Sequence, residues 1–213
     1  VVLKLALTEG EKMLLLVLFS EREWGVFGLV SNLGSIVVRL LFAPTEEIAF
    51  SAFSAGSGSE EGGERRSSNL RLLRGLLLLQ GGVGWVGLCF GPGFSGLAVR
   101  VLYGADWAAS EAPSVLSAYC VLLFCMGLNG ILEAFMYAQC SPSWVRTCNF
   151  WQVAISAILL GSAWAARSIG PAALVLANCL AMLLRSLLGA AFVRSHLQPS
   201  LAELRLQPVL RLF

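Results

Sequence analysis

Six stretches of this chain are apolar over about the twenty residues that a helix needs to cross a hydrocarbon bilayer, and no other feature narrows its fold as far. They lie at roughly 1–20, 25–54, 69–90, 113–139, 144–166 and 169–194. The third, fifth and sixth stand out on hydropathy alone. The first is interrupted by Thr8, Glu9, Gly10, Glu11 and Lys12, and the second carries charges and Pro44, a residue that kinks helices. Charged residues make up 13% of the chain and hydrophobic residues 57%. A soluble domain carries about 25% charged residues, so this chain has too few to cover a surface facing water. Only helices and closed barrels satisfy every backbone group inside lipid, and spans of this length are helical. The expected fold is therefore all-α, a polytopic transmembrane bundle of about six helices occupying residues 1–194.

The connecting segments set the orientation. Ser54 to Ser68 reads SAGSGSEEGGERRSS, with almost nothing to bury, so residues 55–68 are expected to form a disordered loop. In the segment 91–111, Phe94, Leu97, Val99, Val101, Leu102 and Trp107 alternate with Gly and polar residues, a pattern suited to a short interfacial helix. With six spans, the start of the chain, the 55–74 loop, the 140–146 turn and the 195–213 tail share one side. That side holds Lys4, Arg65, Arg66, Arg71, Arg74, Arg146, Arg194, Arg205 and Arg211, against Arg22, Arg100 and Arg167 opposite. The positive-inside rule puts the first set in the cytoplasm. Trp24, Trp107, Trp144 and Trp164 fall near span ends, as an aromatic belt requires. Val1 lies inside an apolar run with no initiator Met and no signal-peptide pattern, so a piece of a longer chain is expected.

Several function classes are disfavoured. A net charge of +2 gives no footprint for nucleic acid. The six cysteines form no CxxC pair and the only histidine, His196, is in the tail, which argues against a metal site, a catalytic Cys/His pair or a cofactor. Gly81, Gly82 and Gly84 lack the Lys and the strand-to-helix context of a phosphate loop. No nucleophile–base pair stands out, and no catalytic residue is assigned.

Ionisable side chains inside the spans carry the functional signal. Each costs about 2.5–3.5 kcal/mol at a helix centre on insertion scales, so each must face protein or a water-filled cavity. They are Glu9, Glu11 and Lys12 in the first span, Arg39, Glu46 and Glu47 in the second, Glu133 in the fourth and Arg185 in the sixth. One reading is a polar cavity whose basic members hold an anionic headgroup and whose carboxylates contact sugar hydroxyls. The other is structural ion pairing of Arg39 and Arg185 with Glu9, Glu11 or Glu133, with Glu46 and Glu47 near an interface. Asn32, Asn129 and Asn178 are suited to bonds between helices, and Gly34, Gly127, Gly130 and Gly161 to close helix approach.

The run LTEGEKMLL at Leu7–Leu15, followed by VSNLGSIVVRLLFAPTEE at Val30–Glu47, resembles the Rft family. Its most specific part joins Asn32, Leu33, Gly34, Ser35, Arg39, Phe42, Pro44, Glu46 and Glu47. LNGILEAF at Leu128–Phe135, LANCLAMLLR at Leu176–Arg185 and LQPVL at Leu206–Leu210 agree with it. Phe27 departs from the family's more usual Tyr, and the 55–68 loop has no counterpart. The resemblance implies a member of the multidrug/oligosaccharidyl-lipid/polysaccharide exporter superfamily, with two six-helix lobes around a central cavity, of which this chain is similar to the second. The implied partner, beside membrane lipids, is a lipid-linked oligosaccharide moved across the endoplasmic reticulum membrane for N-glycosylation. An N-terminal lobe of the same protein would supply the rest of the cavity. The implied contacts are Arg39 with the diphosphate, and Glu9, Glu11, Lys12, Asn32, Glu46, Glu47, Glu133 and Arg185 with the remainder of the substrate. A non-transporting scaffold or accessory factor of the glycolipid pathway is the alternative.

Overall fold

The structure is a computed structural model and describes residues 20–55, 62–165 and 171–201; among them every regular element is a helix. Glu9, Glu11 and Lys12, with the first span, lie outside the described residues. Helix α1, Glu21–Val37, opens on a capping box. The Ser20 hydroxyl accepts from the Glu23 amide, and the Glu23 carboxylate accepts from the Ser20 amide at 2.9 Å. A π turn at Val38–Phe42 joins α1 to α2, Ala43–Ala55, with the Ala43 amide reaching back to the Val38 carbonyl. Pro44 explains the wide turn. It has no amide to donate and its ring crowds the carbonyl four residues back. The extra residue relieves that crowding, and the Thr45 hydroxyl donates to the Leu41 carbonyl at 2.6 Å. The continuous element Glu21–Ala55 is 35 residues long, or about 52 Å at 1.5 Å per residue.

Helix α3 is Gly62–Tyr103, α4 is the single turn Ala105–Ala108, α5 is Ala112–Gln139, α6 is Pro142–Ala165 and α7 is Pro171–Leu201. Glu21–Ala55, Ser67–Tyr103, Ala112–Gln139 and Val175–Arg194 are long and apolar enough to cross a membrane. The chain is thus an all-α, multi-pass membrane bundle. Pro113, Pro142 and Pro171 all fall at helix starts, where a missing amide costs nothing.

Two connections differ from the sequence expectation. Residues 62–68 belong to α3 rather than to a loop; residues 56–61 are outside the described set. The segment 91–111 is not a separate interfacial helix. Residues 91–103 prolong α3 straight through Pro92, and the chain turns only at Gly104, whose φ of 97° suits glycine. Packing accounts for the prolongation. Val99 is fully buried in a cluster with Ala112 and Val115, and the Ser117 hydroxyl on α5 donates to that of Ser95 on α3 at 3.0 Å. Without competing water, a proline in a membrane helix is tolerated when a neighbouring helix supplies such contacts.

Helix α5 is the hub, packed against α3, α7, α2 and α1, while α6 reaches the bundle mainly through α7. One apolar cluster, with Val30, Val115, Tyr119 and Val175, lies toward the Gly104 end; a second, with Phe53, Ile131, Phe135 and Phe192, lies toward the Cys140 end. Lipid is as apolar as leucine, so these helices gain little from hiding apolar area and rely on close approach. Glycines provide it. Tyr119 lies over Gly34, and the backbone of Phe124 is 3.1 Å from where a side chain on Gly84 would begin. Gly127 receives Phe42 and Gln80, and Gly130 receives Glu46. Gly161 meets nothing within 4 Å among the described residues, so the close approach expected of it is not observed there.

Candidate functional site

The ionisable residues of the described spans separate into two groups. The first lies between α5, α6 and α7. Asn129 and Gln152 donate side-chain amides to the same oxygen of Glu133, at 3.0 Å and 3.1 Å. The Ser186 hydroxyl donates to Asn129 at 3.5 Å, and Arg185 donates to the Ser156 hydroxyl at 2.9 Å. Among the described residues, Glu133 and Arg185 are thus held by neutral partners rather than by each other. Both line a cavity of about 430 Å³ with Gln152, Met136, Trp144, Trp151, Leu188 and Phe192. Among the described residues the Arg185 Nε is buried without an acceptor. An opposite pair of charges, one amide and apolar walls make a site that can orient a polar group on an apolar body.

The second group lies on α1 and α2. Arg39 stands in the π turn and is exposed, among Ile36, Leu40 and Leu41, which are exposed as well. Asn32 is exposed two turns earlier on the same helix. Glu46 and Glu47 point apart. Glu46 rests against Gly130 of α5, whereas Glu47 lines an open groove with Pro44, Ile48 and Ser51. Bidentate anion recognition is what the guanidinium of Arg39 offers on that face.

The structure therefore brings Glu133 and Arg185 together and sets Arg39, Asn32 and Glu47 on a different surface. Glu46 belongs to the packing of α2 on α5. Residues that the sequence reading passed over complete the inner site. Gln152 and Ser156 are one turn apart on α6 and hold Glu133 and Arg185 respectively; two polar residues at i and i+4 within an apolar helix were the available signal. Gln80 on α3 is 3% exposed, and among the described residues its amide nitrogen has no hydrogen-bond partner. Among the described residues, no three His, Cys, Asp or Glu side chains converge as metal ligands would.

Known proteins of one name match the chain over most of its length. The mouse (Mus musculus) protein named Man(5)GlcNAc(2)-PP-dolichol translocation protein RFT1 is 32% identical over 220 residues, covering 98% of this chain and 41% of that protein. The protein of the same name from Drosophila melanogaster is 31% identical, covering all of this chain and 39% of the relative. The one from Saccharomyces cerevisiae is 29% identical over 88% of this chain and 33% of the relative. The chain spans about two fifths or less of the length of these curated relatives. No solved structure matches it. A family model described as Rft protein matches residues 1–211, and the chain belongs to that family.

Proposed function

We propose that this chain is one lobe of a transporter that carries a dolichyl-diphosphate-linked oligosaccharide from the cytosolic to the lumenal leaflet of the endoplasmic reticulum membrane, for protein N-glycosylation. The relatives' name, translocation protein for such a glycolipid, supports a transporter rather than an enzyme. The observation that carries the reading is Arg39, a cation exposed near the middle of a 35-residue apolar element. Lipid cannot be its neighbour without a cost of about 2.5–3.5 kcal/mol. An anionic headgroup in a wet path between two lobes meets its charge.

In this reading Arg39 holds the diphosphate by paired hydrogen bonds, while Asn32 and Glu47 border the path taken by the glycan. The polyprenyl tail stays in lipid, and the two lobes rock against each other to change access. The start of α3 and the tail face the cytoplasm. Glu133 and Arg185 sit outside the path, inside the lobe.

The test is Arg39→Ala in the full-length protein, expressed in cells lacking their own copy. Complementation is expected to fail while protein abundance and unfolding temperature stay normal. Normal complementation removes Arg39 from the mechanism. Purified protein in liposomes separates transport from scaffolding. Movement of labelled glycolipid above an empty-liposome control supports the transporter; binding without movement supports the scaffold.

A further inference from the structure

We infer that the cavity between α5, α6 and α7 is a separate binding site for the headgroup of a zwitterionic membrane phospholipid, one whose phosphate and amine are joined by a two-carbon link. Three features point there. First, the cavity holds one cation and one anion that do not neutralise each other: Arg185 is held by Ser156, and Glu133 by Asn129 and Gln152. Ser156 and Gln152 are four residues apart on α6, so the two side chains that hold the charges start about 6 Å apart along that helix. A short phosphate–amine headgroup spans that interval with each end beside its opposite charge. An anionic headgroup would satisfy Arg185 and be repelled by Glu133.

Second, the polar groups keep unused capacity. Both bonds to Glu133 fall on Oε1, leaving Oε2 for an ammonium group. Arg185 gives Ser156 one of its five N–H donors. Third, the walls suit a cation and an acyl chain. Trp144 and Trp151 border the cavity, and an amine against an indole face gains cation–π attraction. Leu188 lines the cavity and is itself partly exposed, and Leu183 and Leu187 of the same helix are exposed apolar residues. The cavity lies toward the end of the bundle where α5 gives way to α6, so a phospholipid resident in that leaflet enters sideways.

The probe is full-length protein in detergent, titrated with brominated-chain phosphatidylethanolamine, phosphatidylcholine or phosphatidylglycerol, with quenching of tryptophan fluorescence as the readout. Both zwitterionic lipids are expected to bind at least tenfold more tightly than phosphatidylglycerol. Glu133→Gln is expected to invert that order, because it leaves Arg185 alone. Trp144→Phe with Trp151→Phe, both at half-exposed positions, is expected to remove the difference in quenching between zwitterionic and anionic lipid without unfolding the lobe. Arg39→Ala is expected to leave lipid preference unchanged, so failure of the transport reading and failure of this one are seen separately. Equal or tighter binding of phosphatidylglycerol by the unmodified protein overturns the inference. So does an unchanged preference in folded Glu133→Gln, or displacement of the quencher by a soluble diphosphate-linked glycan.

Discussion

The contact of Tyr119 with Gly34 gives a sharp test of how these helices pack. Gly34 is on α1 and Tyr119 on α5, and three ring carbons stand where a methyl group on residue 34 would be. The ring is 7% exposed and cannot swing aside, unlike the carboxylate that covers Gly130. Overpacking of this kind costs about 1–3 kcal/mol. Alanine recovers about 0.8–1.0 kcal/mol over glycine through helix propensity, so Gly34→Ala alone should destabilise by about 0–2 kcal/mol. Gly28 on the same helix supplies the reference, because among the described residues nothing lies within 4 Å of its added methyl. Gly28→Ala should gain the propensity term, so the two variants should differ by about 1–3 kcal/mol. A second comparison isolates the ring. In a Tyr119→Ala background the penalty of Gly34→Ala should vanish, giving a coupling of the same size and opposite sign. The assay is thermal or denaturant unfolding of the purified full-length protein, read as loss of monodisperse fraction. Equal stability of Gly34→Ala and Gly28→Ala, or no coupling to Tyr119, would refute the close approach of α1 and α5.

Gln80→Met removes a buried amide nitrogen that has no acceptor while nearly keeping its volume against Phe42 and Gly127. Stability should rise by about 1–3 kcal/mol, measured as a higher unfolding temperature; a fall would mean that the amide has a partner in the working protein. Arg39→Cys in a cysteine-free background should react with a membrane-impermeant thiosulfonate, even though residue 39 is about 24 Å from the Ala55 end of its helix. Ile158→Cys and Leu187→Cys, 56% and 66% exposed on α6 and α7, should not. Equal protection of all three positions would place Arg39 against lipid.

Four of the spans and the charges within them were legible because hydrophobic length and the cost of an intramembrane charge act locally, one residue at a time. The helix of Ala112–Gln139 falls where the apolar run 113–139 placed it. The end of α3 was not legible. The third apolar run ends near residue 90, and only the contacts of Val99 and Ser95 with α5 carry the helix on past Pro92. Partner choice was not legible either. Glu133 was a candidate partner for Arg39 or Arg185, but it takes amides from Asn129 and Gln152, a selection set by the rotation of α6 against α5. The split between Glu46 and Glu47 has the same origin. Their neighbouring positions give opposite directions only once the π turn has fixed the rotation of α2.

That rotation links local chain chemistry to the site. An uninterrupted α-helix would advance by 100° at each residue; a π insertion adds one residue without adding a turn, so everything after it is turned relative to what precedes. Pro44 demands the wider turn, and Arg39 lies inside it. The bulge places the guanidinium on the outer face while Phe42, three residues later, is buried against Gly127 and Glu46 is seated on Gly130. Charges that the lobe can satisfy itself, Glu46, Glu133 and Arg185, turn inward onto α5 or its neighbours. Arg39 and Glu47 do not, and no lipid tail can take the place of a partner for them. Among the described residues, the outer face of α1 and α2 is therefore the face on which charge is left without a partner, and it is the face that the proposed transport path uses.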